Sequence, residues 1–492
     1  MGQTIDSWLE THATHQPEKP ALICDTEVWT YAEFATRVRH MAARLVHDHG
    51  LQRGDRIAYL GHNSPAEVAL MFAAARAGLM LIPLNWRLAS DELTYIAQNA
   101  DVQAFFHGSE MAETATGVAA GLGLTSLEMT DALMLAGAPA APSGDLTDPF
   151  LLVYTSGTTG RPKGAVLTQE AVFWNALISG HAHDFSSKDR VLNMLPLFHV
   201  GGINIQMMPC FYAGGTVVLM RSFNPSEGID LLETAEVSVA LVVPTVMRAL
   251  FADPGWASAK LPDVRLLAIG STDVPVDILA SIHARDIPMI QIYGATETGP
   301  VTTYQKAPEA HATQGSIGRP GQHVSIRIVD PQGQDCPTDE AGEIWVKAPN
   351  IFSHYWRNAD ATQAALVDGW FRTGDVARRD QSGLLWFVGR LKHVIISGGE
   401  NIYPAEIERI LAPLDGVAEV AVVGRKNERW GQIPVILANV SPDGPTAEDL
   451  IAACDGKIAR FKMPKDVVFV PALPRNALGK VLFEDACRMA ER

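Results

Sequence analysis

The sequence predicts an α/β fold: a large N-terminal domain of helix-covered sheets plus a small β-barrel unit, then a small α+β C-terminal domain. Three observations predict it. At 492 residues the chain exceeds what one hydrophobic core serves, so two or more domains are expected. Short apolar runs alternate with helical patterns through most of the chain before Ala312. The texture then changes twice, to alternating apolar and polar residues after Ala312 and back again from Leu391.

In chain order, Ile57–Leu60 and Leu79–Ile82 read as strands separated by the helical stretch Ala66–Ala77. Ala136–Gly144, rich in Ala, Gly and Pro, reads as a surface loop leading into the apolar strand Phe150–Tyr154. Further strands are expected at Thr216–Met220, Val239–Val243, Leu266–Ile269 and Met289–Ile292. Ser325–Val329 and Glu343–Lys347 alternate apolar with polar, with turns at Asp330 and Asp380, as an antiparallel β unit does. Ile407, Ile410, Leu411 and Leu414 share one helical face, and strands near Val417–Val423, Val435–Val440 and Val467–Val470 flank a helix starting near Ala447. The expected boundaries are 1–390 for the large domain, with its β-rich part at about 312–390, and 391–492 for the small one.

Composition narrows the function classes. The formal net charge of −16, with no Lys/Arg run, argues against nucleic acid as a partner, because an acidic surface repels phosphate backbones. Any anionic cofactor then needs locally placed cations and backbone donors. The five cysteines lie far apart without a CxxC pair and read as free thiols in a reducing compartment. No basic region followed by an apolar stretch opens the chain, and the most apolar segment, Ala66–Leu84, is interrupted by Glu67, Arg76, Gly78 and Pro83. A cytoplasmic protein without a membrane span is the expectation.

The strongest local signal is the run from Tyr154 to Gly164, YTSGTTGRPKG. A buried strand enters a loop of small residues, and a lysine follows. Glycines let backbone N–H groups converge on an anion, Thr155, Ser156, Thr158 and Thr159 add hydroxyl donors, Gly157 and Gly160 keep the backbone accessible, and Lys163 adds charge. The outer phosphates of a nucleotide suit such a loop. The spacing differs from G-x-x-x-x-G-K-[ST], since Gly160 is followed by Arg-Pro-Lys and no Ser/Thr follows the lysine.

With this run and, further along, PLFHVGG at 196–202, YGATET at 293–298, GWFRTGD at 369–375 and PRNALGKV at 474–481, in that order, the sequence resembles the adenylate-forming (AMP-binding) superfamily of acyl-CoA synthetases, adenylation domains and luciferases. The resemblance covers essentially the whole chain. It implies that in YGATET, Tyr293 lies against adenine with Gly294 and Ala295 beside it, Thr296 binds near the α-phosphate, and Glu297 ligates Mg²⁺. Gly270, Ser271 and Thr272 take the place of the adenine-facing loop, where Ser271 and Thr272 depart from the family's usual second glycine and alanine. In GWFRTGD, Asp375 should accept both ribose hydroxyls, and Arg390 should sit at the ribose and phosphates. His199, in PLFHVGG, should border the acyl carboxylate as a positioning group; a general base is not needed, because the carboxylate is already ionised.

In PRNALGKV near the C-terminus, Lys480 matches the mobile catalytic lysine. A carboxylate attacking a phosphate brings two anions together, and a cation across both lowers that barrier. Phe483 stands where many relatives carry a basic residue. Lys392 matches the hinge about which the family's small domain turns between half-reactions. Gly398 and Gly399 would line a pantetheine tunnel, and Trp430, within the Arg425–Trp430 cluster, would meet coenzyme A.

The implied activity has two steps. A carboxylate attacks ATP to give acyl-AMP and pyrophosphate, with Mg²⁺ on Glu297 and charge support from Lys480 and Lys163; the thiol of coenzyme A then takes the acyl group. The acyl wall after His199, with Gly202, Ile203, Asn204 and Met207 and with Gly294 opposite, holds no Arg or Lys, which disfavours a second substrate carboxylate. The general look is that of bacterial feruloyl-type and medium-chain acyl-CoA ligases. An aromatic, hydroxycinnamate-like acid is the expectation, with a medium-chain fatty acid or loading of a carrier protein as alternatives. The resemblance leaves the oligomeric state open, a homodimer among the options.

Overall fold

The computed structural model describes residues 4–130, 132–135, 143–155, 162–270, 274–398, 400–475 and 481–491. Of the positions singled out above, Ser156, Gly157, Thr158, Thr159, Gly160, Ser271, Thr272, Gly399 and Lys480 lie outside the described residues, as does most of the loop expected at Ala136–Gly144.

The first helical pattern shows how the chain writes its elements. Pro65–Ala77 is a helix because Ser64 accepts the Glu67 N–H at 3.1 Å as its cap, Pro65 opens it, and Gly78 ends it at φ 69°. Nearly every residue of it is buried between sheets, which explains its apolar all-round sequence. It crosses over between Arg56–Leu60 and Met80–Leu84, which pair in parallel.

These strands belong to a seven-stranded sheet, in spatial order His354–Tyr355, Lys163–Thr168, Pro149–Thr155, Met80–Leu84, Arg56–Leu60, Ala104–His107, Ser126–Glu128. A nine-stranded sheet runs Arg319–Pro320, Thr303–Tyr304, Met289–Tyr293, Leu266–Gly270, Val239–Val242, Arg190–Asn193, Thr216–Leu219, Pro20–Cys24, Glu27–Thr30. One large core joins both sheets, with Phe34, Phe72 and Phe211 clustered edge to face.

The β-rich part is a five-stranded antiparallel unit, Ser325–Val329, Ala341–Lys347, Trp370–Arg379, Leu366–Val367 and Leu385–Arg390, with its own core around Ile344, Val346 and Ala377. The C-terminal part builds another five-stranded sheet centred on Val417–Asn427 and Gly431–Val440, covered by the helix Pro404–Leu411 on one face and by Phe483–Ala490 on the other. All five cysteines are free thiols. Among the described residues no helix is long and apolar enough to cross a membrane.

Candidate active site

Thr155 and Lys163 face each other at the ends of two antiparallel strands, Pro149–Thr155 and Lys163–Thr168. The glycine- and hydroxyl-rich loop therefore closes a β-hairpin, a connection that the sequence pattern left unspecified. His354–Tyr355 adds an antiparallel third strand to this hairpin, with Tyr355 opposite Ala165. Lys163 Nζ consequently lies 5.6 Å from the centre of the Tyr355 ring.

Glu297 sits in the one-turn helix Thr296–Thr298, directly after the strand Met289–Tyr293. The Tyr355 hydroxyl donates to Glu297 Oε1 at 2.8 Å, so the carboxylate is aimed by a residue 58 positions away. Burial, and then the Glu297 charge, raise the Tyr355 phenol well above its ordinary value, which keeps it a donor. One aimed carboxylate, with lysine nearby, fits a magnesium ion whose remaining ligands are phosphate oxygens and water. Among the described residues no group of three or more His, Cys, Asp or Glu side chains could hold a metal unaided.

Asp375, only 4% exposed, is held from two sides. The Tyr293 hydroxyl donates to Oδ2 at 2.8 Å, and Arg390 Nε lies 3.0 Å from Oδ1. Strand register is the cause, because Asp375 pairs opposite Arg390 in the β unit while Tyr293 ends the neighbouring strand of the large sheet. A fixed, partly neutralised carboxylate suits hydroxyl donors from a sugar. Tyr293 also packs on Phe387 at 6.3 Å, and its phenol is raised by burial and by Asp375.

Backbone packing accounts for two glycines. A Cβ on Gly270 would meet Ile292 O at 2.3 Å, and one on Gly294 would meet Pro300 O at 1.4 Å. Ala295 accepts the Thr298 hydroxyl and donates its own N–H to it, which closes the turn that carries Thr296.

His199 packs on Phe198 at 4.6 Å and opens an irregular stretch. Gly201–Met207 is a π-helix, buried except at Gly201, whereas the sequence had suggested only an apolar run. Side chains from two neighbouring elements hold its carbonyls: Asn193 donates to Gly202 O at 3.0 Å, Asn175 to Asn204 O at 2.7 Å, and Ser179 to Ile205 O. Asn204 in turn donates to Gly299 O at 2.9 Å, just beyond the Glu297 turn. Asn350 donates to Thr298 O at 2.6 Å and to Val301 O at 2.8 Å. Three buried asparagines thus join the π-helix to the turn carrying Thr296 and Glu297. Ile203 and Met207 are fully buried in this wall.

Lys392 stands beside Arg390, and its amine is lowered by partial desolvation and then by Arg390. His393 stacks on Phe483 at 3.8 Å and 9°, so the helix Phe483–Ala490 rests against the segment that carries Lys392. Burial, Lys392 and Arg390 push the His393 ring down to about 3, leaving it neutral. Gly398, at φ 62°, lies under the Trp430 ring, where an added Cβ would come within 3.0 Å. Trp430 is 44% exposed and carries Arg429 over its face at 4.8 Å, so it is not a core residue.

Sequence reasoning missed Tyr355, Asn175, Asn350 and Arg87. Arg87 is exposed, with its guanidinium 4.5 Å from the centre of Trp86 and 5.4 Å from that of Phe198, and it joins none of the ion pairs among the described residues. Its neighbour His199 was visible by motif; Arg87 had no motif, and only its stacking on the His199 segment marks it.

The family AMP-binding enzyme matches residues 9–356, and its C-terminal domain matches 406–480. An indoleacetate–CoA ligase of Aromatoleum aromaticum is 41% identical over 503 residues, covering 99% of this chain and 98% of that protein. A feruloyl-CoA synthase of Amycolatopsis is 37% identical, with 98% of each covered. The structure of o-succinylbenzoate CoA synthetase from Bacillus subtilis with its acyl-adenylate intermediate superposes with TM-score 0.89 at 29% identity, covering 99% of this chain and 98% of that one. ATP-bound MatB from Rhodopseudomonas palustris gives 0.91 at 30% identity, with 99% of each chain covered. The chain belongs to the AMP-binding enzyme family and is an acid–CoA ligase that works through an acyl-adenylate with ATP, magnesium and coenzyme A.

Proposed function

We propose that this ligase activates an aryl-substituted monocarboxylic acid. One observation carries the reading: the buried wall Gly201–Met207 holds no cation and opens at Gly201, where an added Cβ would have only Ile205 Cδ1 within 4 Å, at 3.9 Å. A second substrate carboxylate would be buried there without a counter-charge. Open space beside Gly201 suits a ring, and Met207 with Met208 can conform to its edge. Two relatives spanning nearly the whole chain bear the names of aryl acids, indoleacetate and ferulate, which supports the same class.

In the first step the acid's carboxylate oxygen bonds to the α-phosphorus of ATP, and the bond to the pyrophosphate oxygen breaks. Asp375, aimed by Tyr293 and Arg390, takes the ribose hydroxyls. Thr155, Lys163 and the loop Ser156–Gly160 take the outer phosphates, and Thr296 the α-phosphate. Glu297, aimed by Tyr355, holds the magnesium ion, which when bound offsets charge on the phosphate oxygens. His199 borders the incoming carboxylate, and Lys480 spans the two meeting anions. In the second step the thiol sulfur of coenzyme A bonds to the acyl carbon, the bond from that carbon to the AMP oxygen breaks, and the thiol proton is released. The small domain turns at Lys392 between the steps, bringing Gly398, Gly399 and Trp430 to the pantetheine arm.

The test is pyrophosphate release across indole-3-acetate, ferulate, phenylacetate and octanoate, with soluble acyl-CoA measured alongside. An aryl acid should exceed octanoate in kcat/KM by about tenfold or more, the discrimination that pocket shape commonly supplies. Octanoate as the best substrate would overturn the reading.

A further inference from the structure

In the acyl wall Asn204 Oδ1 lacks a partner among the described residues, and Gln206 lacks one at both ends of its amide. Gln206 is 3% exposed, and neither its amide nitrogen nor its amide oxygen has a hydrogen-bond partner among the described residues. Buried amides are nearly always paired, so a buried group lacking both partners needs a reason. The asparagines of this region are each engaged at the amide nitrogen: Asn175, Asn193, Asn204 and Asn350 donate to a backbone carbonyl, although Asn204 Oδ1 and Asn350 Oδ1 have no partner among the described residues.

The helix type decides where Gln206 stands. A π-helix turns once in a little over four residues, so Ile205 and Gln206 both stand about one turn along from Gly201, one on each side of it, and Ile205 Cδ1 is the atom nearest an added Cβ there. Side-chain bonds from Asn193, Asn175 and Ser179 hold the π register. The two glycines of the segment also differ in kind. A Cβ on Gly202 would meet Pro196 O at 2.3 Å, so packing demands glycine there; at Gly201, with only Ile205 Cδ1 as near as 3.9 Å, packing demands nothing. An open position and an unpaired amide therefore lie about one turn apart in one helix.

We propose that Gln206 reads a polar ring substituent of the acid, with Gly201 clearing the space for the ring. The amide has both a donor and an acceptor, and its carbonyl matches an N–H or O–H on an aryl group. The substrate class is accordingly narrowed to aryl acids that carry a hydrogen-bonding group on the ring. This rests on the aryl-acid reading above.

Matched pairs test it: 4-hydroxycinnamate against 4-methylcinnamate, and indole-3-acetate against benzothiophene-3-acetate, each assayed by pyrophosphate release. The wild-type enzyme should favour the polar member by about tenfold or more in kcat/KM, since the apolar one leaves the amide unmatched. Gln206→Met, close in length and volume, should bring that ratio near unity, and its melting temperature without substrate should hold or rise. A ratio unchanged by Gln206→Met while aryl acids still turn over would overturn the assignment to Gln206 alone. So would a marked fall in melting temperature, because the amide would then serve the fold. Turnover of straight-chain fatty acids only would remove the aryl-acid reading and this inference together.

Discussion

Tyr293, Asp375 and Arg390 form the site's clearest example of a carboxylate held ready by its neighbours. Losing the 2.8 Å Tyr293–Asp375 bond should loosen Asp375 without discharging it. Tyr293→Phe should therefore raise the KM for ATP by about three- to tenfold, in line with about 1 kcal/mol for a neutral-to-charged hydrogen bond partly replaced by water. Asp375→Asn, which removes the charge, should do more, and ATP titration of pyrophosphate release checks both.

Two buried titratable groups bear on stability and pull against each other. Burial and then Glu110 hold the Glu67 carboxyl well above its ordinary range, and Glu67 Oε2 has no hydrogen bond. Unfolded, that carboxyl ionises in the usual range; folded, it keeps its proton, so its contribution is complete at acid pH and is lost as pH rises toward the folded value. His183 runs the other way, since burial pushes it down to about 4. Its neutral ring stabilises the fold above its usual range, and that contribution is lost as pH falls toward about 4. Glu67→Gln should flatten the alkaline side of a urea-melt pH profile and leave the acid side unchanged.

At the scale of single elements, glycine positions that look alike in the sequence separate by what surrounds them. Gly294→Ala should destabilise by about 2 kcal/mol or more, or displace the Glu297 turn, because its Cβ would overlap Pro300 O. Gly201→Ala should be nearly neutral in melting and show itself only in substrate preference. The π-helix and the Thr296–Thr298 turn are joined through Asn204, Asn175 and Asn350. Asn350→Ala leaves the carbonyls of Thr298 and Val301 unpaired, at about 1–3 kcal/mol for each buried group. Its melting temperature should fall, and the magnesium concentration for half-maximal activity should rise, because the turn that aims Glu297 loses its support.

For the molecule as a whole, the two half-reactions should separate by mutation. Lys480→Ala should cripple acid-dependent pyrophosphate release by about a hundredfold or more, as expected for a cation aimed at developing charge, yet leave thioester formation from supplied acyl-AMP largely intact. Gly399→Leu should do the reverse by obstructing the pantetheine path. Equal loss of both half-reactions in either variant would refute its assigned role. The stack of His393 on Phe483 joins the segment carrying Lys392 to the helix Phe483–Ala490, which gives the aromatic side chain at 483 a packing role. Trp430→Ala should raise the KM for coenzyme A while leaving that for ATP alone.

By itself the sequence determined the elements and the chemistry carried in contiguous runs. Periodicity placed the helix Pro65–Ala77 and seven strands of the two large sheets to within a residue or two, and the motifs around Lys163, His199, Glu297, Asp375 and Lys480 identified the reaction, because each is local in the chain. Tertiary structure alone decided the partners of those residues. Tyr355 reaches Glu297 through a strand pairing that spans 190 residues, and three asparagines meet from separate elements. The π register of Gly201–Met207 depends on side chains of a neighbouring helix and strand. Such contacts carry no periodicity and no spacing, since they exist only once separate segments are packed against one another.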